Sequence, residues 1–437
     1  MSIELLSALL FAGILISFVI GTPVAFALGG LAMAFGAILW GPQSFQIIPS
    51  TAMGAVTNFI LLAIPLFIFM GQILLRSGMG EAMFHAMHIL AGRLRGGLAI
   101  GVIIMCTLMS AMVGIIGAGI LTAGTVCIPP MLKRLYDKHL TLGAVMAGGG
   151  MGILIPPSIV MIVFSSQTNT SLGKMFAGGV IPGLLMSSLF VLYIASRCFF
   201  SPAMGPPLSK KERGVLKDKV IAARDLAIAF GLVFMVLGSI LFGVATPTEA
   251  AAVGSFGAAG IALFYRQFNW NVIREASIGS MKLTGMVVWI IIGATTFSNF
   301  YMLMGAGKLL NKLTIEWNVS PMGVIVLMQM SLLLLGCFID EFIIVLICAP
   351  LYTPMAVSLG FDPIWFGILM ILNMEIAIQT PPYGFALFYL KAVAPPQTNM
   401  TDIYKSIIPF VSLKFIVLGL CMVFPGIVTW LPDLLFP

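Results

Sequence analysis

An all-α polytopic membrane fold with an inverted internal repeat follows from three features of this sequence: its composition, its long uncharged stretches, and a self-match at one offset. Of the 437 residues, 60% are hydrophobic and 8% charged, against roughly 25% charged in a soluble domain. A water-soluble enzyme is excluded. A crossing helix takes about 20 apolar residues, and no Asp, Glu, Lys or Arg stands between Glu4 and Arg76, Arg95 and Lys133, or Lys138 and Lys174. Sliding the chain against itself pairs Thr22-Pro23 with Thr246-Pro247, Ala27 with Ala251, Gly30 with Gly254, Gly36 with Gly260, Pro130-Met131 with Pro354-Met355, Asp137 with Asp362, and Pro156-Pro157 with Pro381-Pro382, all 224 or 225 positions apart.

Apolar length read against breakers predicts crossings near 3–20, 22–40, 54–75, 143–167, 176–196, 225–243, 249–265, 283–305, 363–391 and 406–432. Residues 98–130 and 321–353 are too long for one crossing and too short for two. Each has a Gly-rich or polar middle, Gly114-Ile-Ile-Gly117-Ala-Gly119 and Asp340-Glu341, and reads as a re-entrant hairpin. This divides the chain into a first repeat at 1–196, a linker at 197–224 and a second repeat at 225–437.

The formal charge of +7 does not indicate a nucleic-acid partner, because Lys and Arg cluster in short stretches between apolar spans. That pattern sets topology. The linker carries Arg197, Lys210, Lys211, Arg213, Lys217, Lys219 and Arg224 and is placed in the cytoplasm. Counting crossings puts Arg93 and Arg95, the Lys133/Arg134/Lys138 loop and the Arg266/Arg274/Lys282 loop inside, with the uncharged 41–52 loop and both termini outside. Lys308 and Lys312 fall outside against the rule, partly offset by Glu316. The first apolar stretch lacks a basic region before it, so the chain is expected to begin at Met1 without a cleaved leader.

Five crossings separate equivalent points of the two halves, so they insert in opposite directions. Inverted repeats with interrupted helices are the architecture of secondary transporters. The interruptions are legible: Pro156-Pro157 and Pro381-Pro382 fall within crossing-length segments, and proline removes a backbone donor and clashes with the preceding turn. The carbonyls so freed can coordinate a cation.

These residues resemble a known family. The strings from Gly114 to Gly119, Ile128-Pro-Pro-Met-Leu-Lys-Arg-Leu-Tyr-Asp137, Ile155-Pro-Pro-Ser158, Ala245-Thr-Pro-Thr-Glu-Ala-Ala-Ala252 and Gln379-Thr-Pro-Pro-Tyr-Gly384 are similar to those of the large, DctM-like membrane (permease) subunit of tripartite ATP-independent periplasmic (TRAP) transporters. The resemblance spans essentially the whole chain. It implies a sodium-coupled importer of organic acids or related small solutes in the bacterial inner membrane, embedded in membrane lipid, working with a small four-helix DctQ-like membrane subunit and a periplasmic substrate-binding protein. It also implies an elevator-type mechanism. Many members carry a Ser-Gly-Ser-like stretch where this chain has Val113-Gly-Ile-Ile-Gly-Ala-Gly119, so main-chain carbonyls stand in for hydroxyl ligands. This version is closer to the branch named after mannitol and chloroaromatic substrates. The alternative reading is a one-component ion-coupled carboxylate transporter that needs no binding protein.

Sodium ligands are expected from Gly114, Pro156, Asp340, Gln379, Thr380 and Pro381, and substrate contacts from Gly117, Ser158 and Tyr383. Asp340 and Glu341 are adjacent carboxylates in a buried-looking stretch, and intramembrane acids suggest function; a helix cap is the competing role for Asp340. Glu375 lies one turn before Gln379, as an ion-site residue or a partner for freed backbone groups. Glu249, after Thr246-Pro247, reads as a helix-start acid. Every Lys and Arg falls in or beside a predicted loop, so no cation is expected at mid-membrane. Glu81, His85 and His88 share a helical face that reads as an interfacial amphipathic helix, not a metal site. The six cysteines have no paired spacing, and no GxxxxGK[ST] is present. Neither a hydrolase constellation nor an organic cofactor is indicated.

Overall fold

The computed structural model describes residues 3–208, 214–306, 319–381 and 384–436, and the regular structure among them is helical throughout. The first half runs α1 (Ile3–Val19), α2 (Val24–Trp40), α3 (Ile47–Thr57), α4 (Ala63–Leu75), α5 (Met79–Ala91), α6 (Gly97–Val113), α7 (Ile116–Lys133), α8 (Lys138–Gly150), α9 (Ile159–Thr168) and α10 (Leu172–Phe200). The second half runs α11 (Leu216–Leu241), α12 (Pro247–Phe264), α13 (Trp270–Leu303), α14 (Pro321–Gly336), α15 (Glu341–Ser358), α16 (Pro363–Ala377), α17 (Phe385–Val393), α18 (Met400–Val423) and α19 (Gly426–Leu435). Among the described residues six helices, α7, α10, α11, α13, α15 and α18, are long and apolar enough to cross a membrane, and the bent pair Pro42–Thr57 with Phe59–Leu75 makes a seventh candidate.

The repeat is visible in helix starts. Asp137 accepts from Leu140 N–H at 2.8 Å, and Asp362 accepts from Trp365 N–H at 2.8 Å. Each is a capping carboxylate that satisfies an orphan donor, opening the broken helix of its half. Pro23 precedes α2 as Pro247 opens α12, where Thr246 and Glu249 form a capping box: Thr246 N–H donates to Glu249 Oε2 at 2.8 Å, and Glu249 N–H to Thr246 Oγ1 at 3.3 Å. The order hairpin, broken helix, long helix recurs as α6–α7, α8–α9, α10 and as α14–α15, α16–α17, α18.

Three of the expected segments are altered, and a fourth shows the break expected of it. Residues 41–52 are a helical turn, Pro42–Gln46, running into α3 rather than a loop; Pro49 falls in the first turn of α3, where its missing N–H costs nothing. The 54–75 crossing bends by 59° at Asn58, whose Oδ1 takes Ile60 N–H at 3.0 Å and starts a new turn. The 363–391 crossing is interrupted between Ala377 and Phe385, as the proline pair required. The 406–432 crossing ends at Val423, where Phe424 leaves helical geometry at φ −121° and ψ 79°, and α19 starts after Pro425. Each arm α7 and α15 has 18 residues, or about 27 Å, so length alone does not separate a re-entrant arm from a crossing.

The core sits around the broken helices. Every residue from Leu140 to Gly150 in α8 and from Ile364 to Ala377 in α16 is buried; helices apolar all round are interior elements. Helix α8 is enclosed by α6, α7 and α18, while α2 and α4 pack on α13 and α4 also on α12. Large exposed side chains such as Val19, Phe200 and Phe256 face outward, as lipid contact requires. The segments assigned to the cytoplasm by charge gather at one end of the bundle: Leu208 N–H reaches Gly92 O at 2.8 Å, Gly96 N–H reaches Gly205 O at 2.8 Å, Asp137 N–H reaches Met204 O at 2.9 Å, and Lys138 pairs with Asp402 at 2.6 Å.

Candidate functional site

Four interruptions of helix converge on the buried centre. The first hairpin turns at Gly114, whose φ of +66° only glycine adopts freely, and a Cβ there would lie 2.6 Å from Pro157 O. The hairpin tip is therefore pressed onto the first break, and Gly152 lies against the backbone of Ile115 in turn. The second hairpin approaches the second break in the same manner, since a Cβ on Gly336 would meet Ala377 Cβ at 2.4 Å. Tyr389 of α17 lays its ring over Gly117, its Cζ only 3.0 Å from where a Cβ would be, closer than van der Waals contact.

The two breaks are not equivalent. In the first, α8 ends at Gly150, a tight turn covers Met151–Ile153, and Ser158 restarts the chain as N-cap of α9, accepting from Met161 N–H at 3.4 Å. Pro156 and Pro157 have no N–H to return to the carbonyls of Gly152 and Ile153, one turn back. In the second, the corresponding carbonyls are taken up again: Thr380 N–H donates to Ala377 O at 3.0 Å and Ala386 N–H to Ile378 O at 3.1 Å. Thr380 Oγ1 donates to Ile376 O at 2.6 Å. Asp340 is the N-cap of α15, its Oδ1 accepting from Phe342 N–H at 3.0 Å, beside the buried Glu341. Pro381 lies in the second break, whereas Tyr383 and Pro382 lie outside the described residues, as do Lys308 and Lys312.

One cation departs from the sequence expectation. Lys414 does not stand at a loop: it is in the body of α18, its side chain 0% exposed. Its Nζ donates to Glu375 Oε1 at 2.7 Å and to Gln379 Oε1 at 2.9 Å, and Glu375 is also 0% exposed. A buried ammonium needs such a partner, and removing one member of a buried pair costs about 3–5 kcal/mol. The only signal in the sequence was a lysine within the 406–432 crossing, and the partner lies 39 positions away, beyond any local spacing rule. Gln379 in turn points across the halves: its Nε2 lies 1.5 Å from where a Cβ on Gly150 would stand. The amide thus fills the space that this glycine leaves at the end of α8. His85 and His88 stack on α5 with centroids 6.4 Å apart, and among the described residues no group of three His, Cys, Asp or Glu could hold a metal ion.

Two hairpin tips pressed onto two broken helices, inside a bundle with lipid-facing apolar sides, define a polytopic membrane transporter. The chain belongs to the tripartite ATP-independent periplasmic transporter family, DctM component, whose family profile matches residues 9–427. It is 34% identical over 407 residues to the C4-dicarboxylate TRAP transporter large permease protein DctM of Pseudomonas aeruginosa, covering 92% of this chain and 93% of that one. It is 29% identical to the sialic acid TRAP transporter large permease protein SiaM of Vibrio cholerae, over 95% of each chain. The fold is that of the YdaH transporter of Alcanivorax borkumensis, with a TM-score of 0.66, 15% identity, and coverage of 92% of this chain and 96% of that one. The chain is accordingly the large membrane component of a TRAP transporter and not an enzyme.

Proposed function

We propose that this permease imports an organic acid or related small solute by sodium-coupled, elevator-type alternating access, receiving its cargo from a periplasmic binding protein and working beside a small four-helix membrane subunit. The observation that carries the reading is the contact of the first hairpin tip with the first break, Gly114 against Pro157 O. It supports a hard monovalent cation held by main-chain oxygens, those of Gly114 and Pro156 together with the Gly152 and Ile153 carbonyls that lost their helical donors. At the second break, Thr380 Oγ1, the Pro381 carbonyl and Asp340 are the ligands left by the hydrogen bonds already made. Sodium supplies positive charge near the midplane, and the residues around it orient substrate at Gly117, Ser158 and Tyr383 through backbone amides and helix ends.

The hairpins are re-entrant in this reading and the halves inverted, with the linker end of the bundle and its basic residues in the cytoplasm and both termini periplasmic. Relatives named for C4-dicarboxylates, sialic acid and 2,3-diketo-L-gulonate support an acidic solute as cargo. The test is uptake into proteoliposomes carrying the permease and its small subunit, with the binding protein outside. An inward sodium gradient should drive accumulation, and equal uptake in choline buffer without a pH gradient would sink the coupling. Uptake undiminished without the binding protein would favour the one-component alternative.

A further inference from the structure

The Lys414 ammonium makes the contacts that a bound monovalent cation would make. Two oxygens from one broken helix, Glu375 Oε1 and Gln379 Oε1, meet it at 2.7 and 2.9 Å. It carries the same single charge and takes the same oxygen partners, but it is held by a four-carbon stem to α18 and cannot leave. The surroundings agree. The carbonyls that Pro381 and Pro382 would have left open, Ala377 and Ile378, are closed by Thr380 and Ala386 N–H groups, while those facing Pro156 and Pro157 receive no such donors from the prolines. An acidic side chain stands at the second break without any equivalent at the first: position 150, repeat-equivalent to Glu375 at the 225 offset, is Gly150. The second break thus combines an extra negative charge with an extra fixed positive one.

We propose that Lys414 is a tethered cation occupying a monovalent-cation position between Glu375 and Gln379, so that this position takes no exchangeable sodium in this transporter. Removing the ammonium would leave Glu375 with both oxygens free, since Oε2 has no hydrogen-bond partner, together with Gln379 Oε1: three oxygens, one negative charge and a space where the lysine stem was. Such a pocket should recruit a free cation. The inference rests on the breaks being cation-binding segments, as in the proposed function, but its test does not use uptake, so failure of sodium coupling and failure of this assignment are separable.

The experiment measures the unfolding temperature of the purified full-length permease with its small subunit, titrated with sodium or potassium chloride against choline chloride at equal ionic strength. Lys414→Ala should gain a cation-dependent rise in Tm, growing with the logarithm of cation concentration, that wild type lacks beyond its own sodium response. Lys414→Ala/Glu375→Gln, which removes the negative charge as well, should lose that added rise. An unaltered cation response in Lys414→Ala, or an equal gain in the double variant, would overturn the proposal. So would recovery of folded double variant when Lys414→Ala folds at no cation concentration, because the ammonium would then be only a structural partner of Glu375.

Discussion

At the scale of single residues, the site separates charge from capping in a way that substitutions can read. Asp340 caps α15 through Oδ1, and Asn caps about as well as Asp. Asp340→Asn therefore keeps the helix start and removes the charge. With Thr380→Ala, which removes a hydroxyl at the second break, it should raise the half-saturating sodium concentration of uptake by about tenfold, or ~1.4 kcal/mol, with normal assembly in both. Unchanged sodium dependence in both variants would assign the two side chains to structure. Gly114→Ala should be worse, because its Cβ would enter Pro157 O at 2.6 Å from a φ of +66°. Strain of that kind costs about 1–3 kcal/mol, visible as a lowered Tm together with lost uptake; a variant with wild-type Tm and transport would mean that the hairpin tip does not press on the break. The helix-start role of Glu249 and the competing cap role of Asp340 were legible from residue type and local spacing, since a cap is a contact within three positions, whereas Asp137 and Asp362 were read only as a repeat-matched pair and their caps came from the structure. Lys414 was not legible. Its neutralising partner is brought in by packing of α18 on α16, and a count of charges near loops has no access to that.

At the scale of elements, the two broken helices meet closely at the Gln379 side chain. Gln379 reaches from the end of α16 into the space over Gly150 at the end of α8, held from behind by Lys414. Gly150→Ala would place a methyl at 1.5 Å from the amide nitrogen, and Gln379 can yield only by leaving Lys414. Overpacking of this kind costs about 1–3 kcal/mol. Gln379→Ala vacates the space, so the double variant Gly150→Ala/Gln379→Ala should recover stability relative to Gly150→Ala, with a coupling of about 0.5–3 kcal/mol in a double-mutant cycle. Additive losses in thermal unfolding would show that the breaks are energetically independent. The existence of both breaks was readable from Pro-Pro alone, and the hairpin before each from segment length and a Gly-rich or polar middle. What was not readable was their inequality. Whether a carbonyl stripped of its donor finds another depends on where the chain turns next: Ala386 N–H reaches Ile378 O because α17 starts close behind the break. The bend at Asn58 escaped for a similar reason, since a single Asn in an apolar run becomes a helix start only when its side chain finds Ile60 N–H.

At the scale of the whole molecule, the arrangement of charge bears on how cargo is held. The bundle contains a buried cation, but Lys414 is enclosed at 0% exposure and committed to Glu375 and Gln379, so it offers no donor pair to an incoming carboxylate. A bidentate arginine clamp, the strong mode of carboxylate capture, has no candidate beside the breaks among the described residues: Arg76, Arg93, Arg95, Arg134, Arg197 and Arg266 stand at helix ends or in connections, and Arg224, within α11, pairs with Asp225 at 2.7 Å. What remains at the centre is backbone: the starts of α7, α9, α15 and α17 lie at the hairpin tips and breaks. Helix N-termini attract anions without a formal charge, each typically contributing about 0.3–1 kcal/mol, up to ~2 in partly buried settings. At the typical value four such ends supply about 1–4 kcal/mol, short of the roughly 8 kcal/mol of a micromolar complex. The permease with its small subunit should therefore bind substrate weakly, leaving affinity and selectivity to the soluble binding protein. Calorimetric titration of the purified membrane complex in saturating sodium, without the binding protein, should give a dissociation constant no tighter than about 100 μM. Submicromolar affinity, or its loss on replacing one arginine, would show that a charged side chain reaches the substrate after the transport elements move.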